Sequence, residues 1–310
     1  MSSSTPGTPV DPVVVAAFAG LTAHLRSAVG PALADEDDAV HRMRTGVRRL
    51  RNLLAALGDT SETRAVLKEM GDRLGTVRDL EVRIQLTEQI LAEAWGGPPD
   101  PEEGGTGEKG GAAEGQGASD AEDVAALRNR LLAPAQEEHA EAHADLVRWC
   151  RAHLEAVFAH LDDWVIAPPT LPARTPKGLA AREARRALRK ARRLDVEAVA
   201  AGDGAAIARA HEARKAGRRL RHVAEAFRRP PAEVLGSRAR KLATRGSRLQ
   251  TALGDHRDAV ILAAHARDLA TGCCGEEAAA LSALAEATDR RAEEALRAAP
   301  RLVAKLAKSV

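Results

Sequence analysis

An eleven-residue pattern of histidine and arginine occurs twice in the chain. Its residue types suit the holding of phosphate groups better than the making or breaking of bonds. The first copy is His41-Arg42-Met43-Arg44-Thr45-Gly46-Val47-Arg48-Arg49-Leu50-Arg51, and the second, 170 residues later, is His211-Glu212-Ala213-Arg214-Lys215-Ala216-Gly217-Arg218-Arg219-Leu220-Arg221. Both fit H-x-x-R-x-x-x-R-R-L-R. On a helix at about 100° per residue, with His41 at zero, Arg44, Arg48 and Arg51 fall at about 300°, 340° and 280°. The four side chains share one face about 80° wide and about 15 Å long. Val40, Met43, Val47, Leu50 and Leu54 fill the adjoining arc, so the basic face borders the core stripe. His211, Arg214, Arg218 and Arg221 project in the same way, beside Leu220, Ala224 and Phe227. Guanidinium suits phosphate because its planar fork takes two oxygens at once and stays charged at any working pH.

Two further segments echo the spacing. Arg182, Arg185, Arg189 and Arg192 follow it, as do Arg238, Lys241, Arg245 and Arg248. Packed in a bundle, these stripes could converge on one groove. Their mutual repulsion must be relieved either by carboxylates on neighbouring helices or by a bound polyanion; the few acids near the second-half stripes favour the polyanion. His41 and His211 have two open readings, as phosphate donors or as interface histidines bonded to a carboxylate such as Asp79 or Asp258. A second repeated motif, L-G-x-x-R-D, follows each copy of the first, at Leu74–Asp79 and Leu253–Asp258. Arg78-Asp79 and Arg257-Asp258 are read as packing ion pairs, with ligand contact by the arginines as the alternative. Two motifs repeated in the same order argue for an internal duplication.

The elements that must carry these residues are helical. Ala, Leu, Arg and Glu abound, while the chain has no Tyr, three Phe and three Trp, so an all-α class is expected. Apolar spacing predicts helices over Val13–Val29, from about Asp35 to Leu57, over 60–73 and 76–94, and from Asp123 to Val165 with Pro134 as a candidate interruption. Further helices are predicted over 177–201, 204–228, 232–253, 255–271 and 276–298. The Leu-Gly pairs are read as helix breaks. Residues 1–11 form an expected disordered tail and 12–165 a first helical half. Within that half, 96–120 is a disordered acidic linker. A Pro-rich connector spans 166–176, and 177–310 is the second half.

Net charge is only +2, but Lys177–Arg257 holds 22 Lys/Arg against 8 Asp/Glu, and Glu88–Asp123 holds 10 acidic residues against one Lys. Such a local excess is the electrostatic footprint of an anionic partner. The three cysteines form no CxxC pair, the start lacks a signal-peptide pattern, and no unbroken apolar run approaches the roughly 18 residues of a membrane span. The expected location is the cytoplasm, with no membrane partner.

Together the two motifs make the chain resemble the CHAD domains, conserved histidine α-helical domains, over about residues 12–300 apart from the acidic insert. The resemblance implies two pseudo-symmetric four-helix-bundle halves around a basic surface or channel. It also implies binding of inorganic polyphosphate and association with polyphosphate granules, and it makes His41, Arg44, Arg48, Arg51, His211, Arg214, Arg218 and Arg221 the leading binding candidates. The first half is poorer in basic residues, which shifts the expected binding face toward the second. Some family members carry a fused triphosphate-tunnel domain; its E-x-E-x-K signature is absent from this sequence.

Other readings weigh less. Gly105-x-Gly107-x-x-Gly110 lies in the acidic linker with no strand before it, so it is not read as a dinucleotide fingerprint. His139-x-Glu141-x-His143 has metal-ligand spacing but no evident third ligand, and neither a metal nor a cofactor is expected. Nucleic acid would attract the same arginines, but single-strand and RNA binders stack bases on aromatic residues that are scarce in this chain. Phosphate-chain chemistry needs metal-holding carboxylates that the basic region lacks, so no enzyme is expected. A scaffold docking an acidic protein, or the chain's own acidic linker folding back on the arginines, is the remaining alternative.

Overall fold

The computed structural model describes residues 9–95, 114–172, 174–228 and 230–308, the side chains of 114–124, Arg238 and Ala239 excepted. Every element among them is helical: α1 (Pro12–Ser27), α2 (Val29–Leu33), α3 (Ala39–Leu57), α4 (Glu62–Trp95), α5 (Glu114–Ile166), α6 (Pro176–Ala191), α7 (Val196–Ala200), α8 (Gly204–Ala226), α9 (Ser237–Thr271), α10 (Gly275–Arg297) and α11 (Ala299–Ala307). The chain is all-α. The tail expected over residues 1–8 and the linker over 96–113 lie outside the described residues.

Local chemistry sets most of the starts and stops. Asp11, Thr175, Asp195 and Asp203 cap α1, α6, α7 and α8, each side chain accepting a hydrogen bond from a backbone N–H of the first turn. Pro12 and Pro176 stand at the first helical position, where no N–H is needed. Gly58, at φ 84°, closes α3 by donating to Leu54 O.

The structure differs from the sequence reading in several places. Gly30-Pro31 does not end the first helical stretch but sits within the short α2, where proline is tolerated in a first turn. Asp35 and Asp38 do not begin the next helix; they take left-handed backbone at φ 55° and 56° ahead of α3. Helix α5 starts at Glu114, inside the segment expected to be disordered, and continues through Pro134. The 177–201 segment divides into α6 and α7, and α11 follows α10. The Leu-Gly pairs break nothing, since α4 and α9 run straight through them. Gly75 and Gly254 are there for close approach: a methyl at Gly75 would lie 3.4 Å from Arg44 Nη2, and one at Gly254 would lie 3.5 Å from Arg214 Nε. Each L-G-x-x-R-D glycine thus receives the first arginine of the H-x-x-R motif from its own half.

The segment Pro12–Leu33 overturns the expectation that no stretch has the length and apolar character of a membrane span. Over 22 residues, at a mean hydropathy of 1.5, it is long and apolar enough to cross a membrane by length and composition. Gly20, Thr22, His24 and Arg26 interrupt its apolar residues, so it contains no unbroken apolar run of that length. Val14, Phe18 and Leu25 of this segment are nevertheless fully buried within the protein, where α1 packs on α3.

Two compact units divide the chain, and each draws on both sequence halves. The first comprises Met1–Thr76, His143–His256 and Glu293–Val310; the second comprises Val77–Ala142 and Arg257–Ala292. In the first unit α1 packs on α3, α6 on α8, and the two motif helices α3 and α8 on each other. Its core includes the predicted arc Val40, Met43, Val47, Leu50 and Leu54, all fully buried, with Leu220 and Val223 of α8 and Phe227 at its C-terminal cap. The ring of Phe18 lies 4.1 Å from that of Trp164, tilted by 32°, and the Trp164 indole N–H donates to the buried Asp59 at 2.7 Å. The second unit has its own apolar cluster of Ile90, Leu262, Ala263, Ala266, Leu281 and Ala285. There Thr87 and His265 share a hydrogen bond of 2.8 Å. Arg78, Arg83, Arg128, Arg130, Arg267 and Arg291 of this unit each pair with a carboxylate.

Candidate functional site: a basic cleft on the motif helices

Amphipathic α3 and α8 bury their apolar arcs and bring their motif faces to half-burial. His41, Arg44, Arg48, Arg51, His211, Arg214, Arg218 and Arg221 are all half-buried. Where α3 meets α8, Asn52 and His222 share a hydrogen bond of 2.8 Å. These two positions are 170 residues apart, the same offset that separates the motifs, so matching positions of the two copies touch.

Beside this contact lies a cleft of about 340 Å³. Helix α3 contributes Arg48, Arg51 and Asn52, α4 contributes Arg64, α6 contributes Arg186 and Lys190, and α8 contributes Glu212, Lys215, Arg218 and Arg219. Eight of the lining side chains are cationic, one is a carboxylate and none is aromatic. Both motif copies therefore serve one cleft.

Not every cation there is equally available to a ligand. Arg219 bonds the 1% exposed Glu183 at 2.8 Å and donates to Ala55 O at 2.6 Å, tying α8 to α6 and α3. Burial lowers the Arg219 pKa, and Glu183 works against that shift. Glu212 ion-pairs with Lys215 and, at 3.6 Å, with Lys190; the Lys215 hydrogen bond holds it below the usual carboxylate range. Arg64 donates to Asp59 O at 3.2 Å. Arg51 lies over α4, where a methyl at Gly71 would be 3.2 Å from its Nη1. Burial lowers the Arg51 pKa, Asp72 raises it and nearby Arg64 lowers it.

Behind the motif faces, burial pushes His222 down to about 3, reinforced by Arg221, Arg49, Arg218 and Arg48. It is a neutral imidazole at physiological pH. A smaller cleft of about 190 Å³ reaches it, lined also by His24, Arg49, Glu225 and Pro231. Arg221 lies 3.9 Å from Glu225 and 3.3 Å from His222 Nε2.

The remaining predicted residues are spread more widely. Arg44 and Arg214 pack on the motif glycines, and Thr45 Oγ1 is 3.5 Å from His41 Nε2. Arg182, Arg185, Arg189 and Arg192 are exposed along α6 and do not line the cleft. Arg245 donates to Lys305 O at 2.6 Å, in the last turn of α11, and Lys241 and Arg248 are exposed on α9. The side chain of Arg238 lies outside the described residues. His143 is 2.9 Å from Ala32 O and 3.6 Å from Asp35, while His139 is 4.0 Å from Glu81. The two histidines fall in different compact units.

Asn52, Arg64, Arg186, Lys190, Lys215 and Arg219 were not among the sequence candidates. Arg186 and Lys190 each follow a stripe arginine by one residue and stand i, i+4 from each other, which is the available signal. Nothing in the sequence marks Arg64, which joins the cleft only through tertiary packing.

No curated protein matches the chain. Two solved structures share its fold. PptA from Streptomyces chartreusis is 19% identical, with a TM-score of 0.59 over 95% of this chain and 99% of that one. The CHAD domain from the plant Ricinus communis is 19% identical, with a TM-score of 0.58 over 99% of this chain and 95% of that one. The model of the CHAD domain matches residues 16–267, a span that contains both motif helices and the whole basic cleft, and the chain therefore belongs to the CHAD domain family.

Proposed function

We propose that the chain binds inorganic polyphosphate, without turning it over, in the cleft between α3, α4, α6 and α8. The lining of that cleft carries the reading: eight cations from four helices face one carboxylate, which two lysines already hold. Like charges gathered this closely repel, and a ligand that is phosphate along its whole length relieves the repulsion at every contact. The absence of any aromatic side chain from the lining favours such a ligand over nucleic acid, whose bases need a stacking platform. The sole lining carboxylate is engaged by lysines, which favours holding over metal-assisted hydrolysis. Residence in the cytoplasm on polyphosphate granules accords with this reading.

The test is binding of long-chain polyphosphate beside single- and double-stranded DNA, at low and physiological salt. The wild type is compared with a variant carrying Arg48→Ala and Arg218→Ala. Each charge-assisted bond contributes about 1.5–3 kcal/mol, so affinity for polyphosphate should fall at least tenfold with the helical melting curve retained. Equal or tighter binding to DNA, release of orthophosphate, or unchanged affinity in a folded variant would overturn the proposal.

A further inference from the structure

Glu212 is the one acid in either copy of the motif; the first copy has Arg42 at the matching position. Three residues on, the second copy has Lys215 where the first has Thr45. The acid and its lysine therefore occur together, in one copy only. On a helix the i, i+3 spacing sets them side by side. Glu212 Oε1 pairs with Lys215 Nζ, and Glu212 Oε2 lies 3.6 Å from Lys190 Nζ of α6. Each carboxylate oxygen thus takes one ammonium group. All three side chains line the cleft, and at 42% exposure Glu212 is within reach of solvent and of an incoming ligand.

Two oxygens of one anion on two ammonium groups is also the contact that a phosphate makes with a pair of lysines. The two anions repel, so they exclude each other from that place. The Lys215 hydrogen bond holds the Glu212 carboxyl below the usual carboxylate range, and it stays charged at any physiological pH. Tethered to the same chain, it acts at an effective concentration on the order of millimolar. Glu183, the carboxylate behind the cleft, does not act in this way: it is 1% exposed and bonded to Arg219.

We infer that Glu212 is a competitor built into the cleft, holding on Lys190 and Lys215 the place of a phosphate until a ligand displaces it. The inference rests on the cleft reading for its ligand. It gives the two lysines two partners in turn: Glu212 when the cleft is empty and phosphate when it is filled. Displacement subtracts the worth of two part-exposed ion pairs from the free energy of binding. The affinity is lowered by that amount, and the returning carboxylate helps to release the ligand. Single anions more dilute than the tethered carboxylate are denied the lysines altogether.

The experiment is a double-mutant cycle on the full chain, with polyphosphate as the probe. Glu212→Gln is compared with the wild type, and again in a background carrying Lys190→Ala and Lys215→Ala. Melting curves confirm that each variant is folded. With the lysines present, Glu212→Gln is expected to bind about two- to thirtyfold more tightly, the range for two ion pairs of this exposure. Without them the gain should be clearly smaller, because the competitor has lost what it competes for. Equal gains in the two backgrounds would mean plain repulsion of the ligand and would overturn the inference. Unchanged affinity in Glu212→Gln would overturn it as well, and so would weaker binding, which would make the carboxylate a positioning group for the lysines. Failure of the cleft shows separately. If Arg48→Ala with Arg218→Ala loses binding while Glu212→Gln gains nothing, the cleft stands and the competitor falls. If that arginine variant is folded and binds like the wild type, the cleft falls and takes the competitor with it.

Discussion

His222 is a buried imidazole with four arginines acting on it and an asparagine as its 2.8 Å partner. Its folded pKa of about 3 lies below the ordinary 6.5. As pH falls through 6.5 the unfolded chain takes up a proton that the folded chain refuses until about pH 3. The stability that His222 supports is therefore complete above pH 6.5 and declines below it, by up to about 1.4 kcal/mol per pH unit. His222→Asn should remove that component, so urea midpoints measured above and inside the window should converge between variant and wild type as pH falls. Glu183 gives a second expectation at this scale. Glu183→Ala leaves the Arg219 guanidinium buried without its carboxylate, which should destabilise the protein by roughly 3–5 kcal/mol in urea denaturation. The motif arginines and their half-burial were legible from helical angles alone. The buried acid opposite Arg219 was not, because Glu183 reads in sequence as one acid among surface arginines.

Glycines set how closely the helices approach. Gly217 and Gly246 put α8 and α9 in near backbone contact: a methyl at Gly217 would lie 3.1 Å from Gly246 O, and one at Gly246 would meet Leu220 at 3.0 Å. Backbone cannot swing aside as a side-chain tip can, so Gly217→Ala should push the helices apart and cost about 1–3 kcal/mol, read as a lower melting temperature. The same chemistry explains why the helix boundaries were less legible than the helices. Gly75 and Gly254 have the poor helix propensity of a break, yet α4 and α9 continue through them because the missing Cβ admits Arg44 and Arg214. Propensity is a local quantity, and this reason lies on another helix.

Over the whole molecule, the sequence halves and the compact units are cut differently. The first unit is assembled from three chain segments and the second from two. The cleft takes Arg48 and Arg51 from before the Pro-rich segment and Arg186, Lys190, Lys215 and Arg218 from after it. Separate fragments 1–172 and 173–310 are each expected to lack cooperative melting and polyphosphate binding, and mixing them should restore binding; a binding-competent first fragment alone would contradict this. The repeated motifs made the likeness of α3 and α8 legible, but not that both would face one cleft, since that depends on how the two helices cross.

The contact between Asn52 and His222 joins positions 170 residues apart. A ribosome adding about 5–20 residues per second needs about 10–30 s to cover that distance. Throughout that interval α3 has α1 and α2 to pack on, while α8, the partner that its motif face meets, has yet to emerge. The contact between the two motif helices thus forms only after about two thirds of the chain has been made.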